Sequence, residues 1–147
     1  MGLFDMLFGK KNPDTKLQSI SRGCVTTTKI DISAGNYDAI KHKFIAFDTE
    51  TTGLSCDTDR IVELGAVEFE DGRKISEFGT LVNPGIPISS QATAVNNITN
   101  QMLKSAPDEP KAYGDFCTFF EKALAGEVVV CAHNATFDMK FLAKTLE

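Results

Sequence analysis

Two carboxylates, Asp48 and Glu50, stand two residues apart where a short apolar run, residues 44–47 (FIAF), gives way to the polar residues 48–53 (DTETTG). Side chains along a strand alternate between faces, so residues at this spacing project to one side. Crowded carboxylates repel unless one takes a proton or a cation lies between them, and hard oxygen donors favour Mg²⁺ or Mn²⁺. Taken alone, a DxE pair is also what a solvated loop offers. Asp138 adds a third acid, behind a second apolar run at 127–132 (EVVVCA) and in the first turn of the helix expected next, the place where a strand end meets a helix start. Its plainer role there is favourable charge at a helix N-terminus.

The elements that must hold these acids are readable in outline. Residues 44–47 have the length and apolarity of a buried strand running into a polar loop. Residues 60–69 and 74–82 are two more strand candidates, joined by Asp71-Gly72, a strong hairpin signal. Pro84 and Pro87 break the pattern, residues 97–103 suit a short helix, and a loop is expected at Pro107 and Pro110. From 111 to 125, Ala112, Phe116, Phe119, Phe120 and Ala123 recur at helical spacing, and Gly126 follows as a stop. Residues 127–132 read as a fully buried strand, and a helix follows His133-Asn134. This order gives an α/β domain on a mixed sheet flanked by helices. Residues 9–42, with Gly9, Pro13, Gly23, Gly35 and Asn36, show no sustained period, which divides the chain into an extension, 1–42, and a domain, 43–147. In residues 1–8 (MGLFDMLF), Leu3, Phe4, Leu7 and Phe8 could form one apolar helix face that docks on a partner, or a frayed terminus.

With 147 residues and 42% hydrophobic composition, the chain can bury one compact core. It has neither a signal peptide nor an apolar run near the roughly 20 residues that cross a bilayer, so no membrane partner and a cytoplasmic location are expected. A net charge of −5 argues against binding nucleic acid through a broad basic surface. It leaves room for a nuclease, because a carboxylate cluster contributes charge that bound cations offset. Cys24, Cys56, Cys117 and Cys131 form no CxxC pair, so neither a zinc site nor a disulfide framework is signalled.

Residues 48–54 (DTETTGL) followed by 133–138 (HNATFD) resemble the first and second motifs of the DnaQ-like (DEDD) exonuclease family, which includes the proofreading subunit of bacterial DNA polymerase III. Between them, residues 81–99 (LVNPGIPISSQATAVNNIT) are similar to the family segment that links the hairpin to the following helix. The resemblance runs from about residue 44 to the end and implies an RNase H-like fold, with the first strand central, an antiparallel pair on one side and parallel strands on the other. It implies a metal-dependent 3'–5' exonuclease using two divalent ions, Mg²⁺ or Mn²⁺, with Asp48, Glu50 and Asp138 as catalytic metal ligands and Asp48 bridging the ions. Thr51, Thr52, Gly53 and Leu54 would form the substrate loop. There Thr51 would offer its N–H or hydroxyl to the 3' end and Leu54 would pack on the last base, with loop solvation and core packing as the plainer roles; Gly53 most simply provides a backbone conformation or a close approach that a side chain would block. His133, Asn134 and Phe137 resemble positions lining the same cleft, although Asn134 could simply cap a helix and Phe137 fill core.

The family's proton acceptor is a His or Tyr in a third motif, a few residues ahead of a fourth metal-binding Asp. No position besides HNATFD itself matches HxxxxD, so no general base is expected among these residues; His133 reads as positional and His42 as a solvated residue at the domain edge. The sequence is thus expected to stop before the third motif, leaving an incomplete sheet with an open edge, an uncovered apolar face and little or no activity. The partners implied are 3' ends of single-stranded DNA, with RNA as the rival, and a polymerase or other replication protein. The competing reading is a non-catalytic module that grips metal or a nucleic-acid end.

Overall fold

The computed structural model describes residues 42–125 and 127–145, so the expectations for residues 1–41, the MGLFDMLF segment among them, and for Gly126 lie outside the described residues. The elements run β1 (Lys43–Thr51), β2 (Ile61–Glu70), β3 (Arg73–Leu81), α1 (Ser90–Asn96), α2 (Asn100–Lys104), α3 (Glu109–Phe119), α4 (Glu121–Leu124), β4 (Val129–Cys131) and α5 (Ala135–Thr145). They build one mixed sheet in the order β3-β2-β1-β4, in which β1 pairs antiparallel with β2 and parallel with β4. This is the α/β arrangement expected from the sequence. No described helix is long and apolar enough to cross a membrane.

Asp71 (φ 48°) and Gly72 (φ 74°) both take the left-handed conformation that a two-residue hairpin demands, and this sets the β2–β3 register. β1 is longer than its apolar run. Pairing continues through Asp48↔Gly65 and Glu50↔Glu63 to Thr51↔Ile61, with a bulge between Glu50 and Thr51. The two acids therefore belong to the strand itself rather than to a loop beyond it.

One face of the sheet carries the core. Ile45, Phe47, Leu64 and Ala66 pack against Phe116 and Phe120 and against Met139, Phe141 and Leu142 of α5. Phe47 meets the Phe120 ring edge-on at 5.8 Å. On the opposite face Phe44, Ala46, Val67, Phe69, Val129 and Cys131 are only half-buried, with Phe44 stacked on Phe69 at 5.1 Å.

Two helical expectations are corrected. The single helix expected over 97–103 is replaced by two short ones. Ser89 caps α1 by accepting from the Ala92 N–H, left-handed Asn97 (φ 62°) ends it, and Thr99 caps α2 by accepting from the Met102 N–H. α1 buries none of its residues, so it left no hydrophobic period to find. The long helix over 111–125 starts earlier and breaks: Asp108 caps it, Pro110 lies in its first turn instead of a loop, and Phe120 separates α3 from α4. A second cluster, Val62, Ile88, Ile98 and Leu103, packs α2 and the chain flanking α1 against β2.

Candidate active site

Asp48 is exposed and Glu50 half-buried on one face of β1, and Glu63 of β2 stands directly across from Glu50. Like charges at such a cross-strand pair repel. Burial pushes the Glu50 carboxyl above its ordinary value, Asp48, Glu63 and Asp138 push the same way, and a hydrogen bond from Asn96 at the end of α1 pulls against them. Asn96 also reaches the Thr51 carbonyl, its Nδ2 donating at 3.4 Å.

Asp138 comes from the first turn of α5 and is 2% exposed. Its place follows from the shortness of β4, whose pairing with β1 ends at Ala46↔Cys131. Beyond that point the β4-side backbone of β1 needs another partner. Asp138 supplies it: the Thr49 N–H donates to Oδ1 at 3.1 Å and the Thr49 hydroxyl donates to the same oxygen at 2.7 Å. Burial raises the Asp138 carboxyl above its ordinary value, the hydrogen bond from Thr49 opposes that, and Asp48 adds to the rise.

Among the described residues no three His, Cys, Asp or Glu side chains gather closely enough to hold a metal ion. The expected trio of ligands is instead a neighbouring pair, Asp48 and Glu50, with a buried third acid that gives one oxygen to Thr49. The donor chemistry nevertheless suits a hard cation, because all the donors are carboxylate oxygens, and burial first, with Asp48 adding to it, raises both Glu50 and Asp138. Mg²⁺ commonly binds through one or two carboxylates, completing its shell with waters and substrate phosphate.

The loop after β1 is shaped by two threonines. Thr51 is buried and its hydroxyl donates to the Gly53 carbonyl at 2.6 Å. Thr52 is buried too; its hydroxyl donates to Asp59 Oδ1 at 2.9 Å and accepts from the Arg60 N–H at 3.1 Å. Both hydroxyls are thus engaged within the loop, while both residues line the cleft beside it. Gly53 behaves as expected, since a Cβ there would lie 2.5 Å from both Asp59 carboxylate oxygens. Leu54 is 88% exposed, which rules out core packing for it.

Leu54, Glu50, Ala92, Val95, Asn96 and Phe137 are among the walls of an open cleft of about 650 Å³ between this loop and α1. Val95, 82% exposed, and Leu54 give it apolar walls. A smaller concavity of about 240 Å³ lies on the α5 side of Leu54, where Asn134, Phe137 and Lys140 line it. Phe137 serves both readings, packing on Phe141 with ring centroids 4.8 Å apart while facing the cleft. Asn134 lines the smaller concavity, and its backbone carbonyl accepts from the Phe137 N–H at 2.8 Å where α5 begins. His133 is exposed in the turn before α5 and lines neither space. His42 is exposed with Nδ1 3.0 Å from Asp71 Oδ1, at the edge where the described residues begin. Thr49, Asn96 and Asp59 also contact this cleft or its acids; Thr49 and Asn96 lie in segments that resemble the family, whereas nothing in the sequence marks Asp59.

A family model described as exonuclease, of the RNase T type, matches residues 45–147. The chain is 44% identical over 99 residues to a DNA polymerase III subunit epsilon of Treponema pallidum, covering 67% of this chain and 44% of that protein. It is 39% identical over 121 residues to a PolC-type DNA polymerase III of Caldanaerobacter subterraneus, covering 82% of this chain but only 8% of that one. Among solved structures, exonuclease X in complex with 5' overhanging duplex DNA matches at 32% identity and a TM-score of 0.54, covering 67% of this chain and 52% of the other. Exonuclease I of E. coli in complex with a dT13 oligonucleotide shares the fold at 18% identity and a TM-score of 0.60, covering 68% of this chain and 22% of that one.

Proposed function

The chain belongs to the exonuclease family, and from that premise we propose that residues 43–147 form a metal-dependent 3'–5' exonuclease unit that acts on the 3' end of single-stranded DNA and serves a replicative polymerase. The observation that supports this best is a juxtaposition: Glu50, with Asp48 beside it on β1, opens onto a cleft whose apolar walls include Leu54, Val95 and Phe137. One rim suits a hard cation and a phosphodiester, the other a nucleobase.

Asp48 and Glu50 are the residues that would hold Mg²⁺ or Mn²⁺, two ions in a complete site, with Asp138 behind them. Bound there, the cation would supply charge stabilisation at the scissile phosphate and a lower pKa for the attacking water. The chain's own contributions are positional. Asn96 steadies Glu50, Thr49 orients Asp138, and Leu54 presents an exposed apolar contact at the distance of one loop from the acids. The proton acceptor is assigned to none of these residues, so turnover by the 147-residue chain is expected to be slow.

The test uses a 3'-labelled single-stranded oligonucleotide with Mn²⁺. Slow release of mononucleotides, abolished by EDTA and by Asp48→Ala, is the expected result. Metal-dependent binding of the end without any turnover would make this a binding module instead. Absence of both would sink the exonuclease reading, and faster cleavage of the matching RNA would move the substrate from DNA to RNA.

A further inference from the structure

We propose that Asp59 is a positioning residue that locks the loop between β1 and β2, so that the slot for a 3'-terminal nucleotide is formed before any substrate arrives. The inference rests on the exonuclease reading for the identity of the ligand, and on geometry alone for the lock. Both carboxylate oxygens are engaged: Oδ1 accepts from the Thr52 hydroxyl at 2.9 Å and Oδ2 from the Ser55 N–H at 3.0 Å. The main chain closes the same ring, with the Asp59 N–H donating to the Ser55 carbonyl at 2.7 Å and the Thr52 N–H to the Arg60 carbonyl at 2.9 Å. Gly53 passes so close beneath the carboxylate that a Cβ would sit 2.5 Å from both oxygens. Asp59 thus fastens the loop on either side of Leu54.

Leu54 itself joins no core cluster among the described residues. At 88% exposure its position is set only by the backbone that carries it, so whatever fixes residues 52–60 fixes Leu54. An apolar side chain kept in water opposite the equally exposed Val95 is poised for an apolar face. A loop already ordered spares the ligand the entropy of ordering it, which is how preorganisation raises affinity. Asp59 lines the cleft wall but belongs to neither the acid pair nor Asp138. Its loss should therefore separate nucleotide binding from metal binding.

The experiment compares the wild-type 147-residue chain with Asp59→Ala and Gly53→Ala, using Mn²⁺ alone, thymidine 5'-monophosphate in saturating Mn²⁺, and amide exchange at Ser55 and Arg60. Both variants are expected to keep Mn²⁺ affinity within about twofold, to bind the nucleotide about tenfold more weakly and to exchange those amides about tenfold faster, the scale of one lost charge-assisted hydrogen bond. Gly53→Ala keeps Asp59 and displaces it, so it carries the test if Asp59→Ala fails to fold. Faster exchange with unchanged nucleotide affinity would overturn the proposal, as would unchanged exchange. If the wild type binds no nucleotide, it is the exonuclease reading that fails, and exchange at Ser55 decides the lock by itself.

Discussion

Thr49 sits between the two acids of β1, yet its side chain points to the opposite, buried face and both its donors go to Asp138 Oδ1. Valine fills nearly the same volume without the hydroxyl, so Thr49→Val removes the 2.7 Å bond and leaves the carboxylate to backbone N–H groups, those of Thr49 and of Asp138 itself. Groups that orient a ligand typically contribute about 10- to 100-fold to metal affinity, and a loss of that order in Mn²⁺ titration calorimetry is expected for the full chain. An unchanged affinity would mean that Asp138 takes no part in holding the ion. The same residue shows what a linear reading reaches. Asp48 and Glu50 were legible because a two-residue period fixes their common side, and Asp138 because it opens a helix behind a strand. Thr49, Asn96 and Asp59 were not, because each is defined by what it touches: the Thr49 partner is 89 positions away and the Asn96 contact with Thr51 spans 45. For Thr51 and Thr52 the family motif was legible but the direction of each hydroxyl was not, since that depends on the fold of the loop and on Asp59.

At the scale of elements, the sheet is joined to α4 through one buried acid. Glu68 of β2 is 5% exposed on the core face and accepts from the Ser76 hydroxyl at 2.8 Å and from Lys122 Nζ at 3.1 Å, with Lys43 Nζ 3.5 Å away. The Ser76 hydrogen bond and then the two lysines hold its carboxyl below the ordinary 4.5, against the opposing effect of burial. A depressed folded-state value means that the ionised form stabilises the fold at any pH above 4.5 and that this contribution is lost as pH falls through the folded value. Glu68→Gln should therefore cost about 1–3 kcal/mol in urea melts near neutrality. The gap from wild type should close in strong acid, where both side chains are neutral. A gap that stays constant with pH would show that shape, not charge, makes the joint. No periodicity announced this link: Glu68 looks in the sequence like one more polar residue of an alternating strand. The hairpin was legible because Asp71-Gly72 acts locally, whereas α1 was not, because a helix that buries nothing carries no pattern.

Across the whole molecule the acids make stability and metal binding one problem. Glu50 and Asp138 both titrate above their ordinary values of 4.5 and 3.8, chiefly through burial, with Asp48 adding to each. Between those values and the raised ones the folded chain holds more protons than the unfolded chain, so stability must fall as pH rises through that window. Glu68 does not mask the trend, because its stabilising contribution is already complete above 4.5. A divalent ion at Asp48 and Glu50 reverses the balance: it competes with protons and stabilises only the folded state, in proportion to how far its concentration exceeds its dissociation constant. The melting temperature without metal should thus decline as pH rises from these ordinary values through the raised ones, while the increment produced by millimolar Mn²⁺ grows over the same range and disappears with EDTA or in Asp48→Ala. Thermal melts with and without Mn²⁺ at the two ends of that window check both halves. An increment that is equal at both, or that survives Asp48→Ala, would place the ion away from the acid pair and remove the chemical basis for assigning nuclease activity to this cleft.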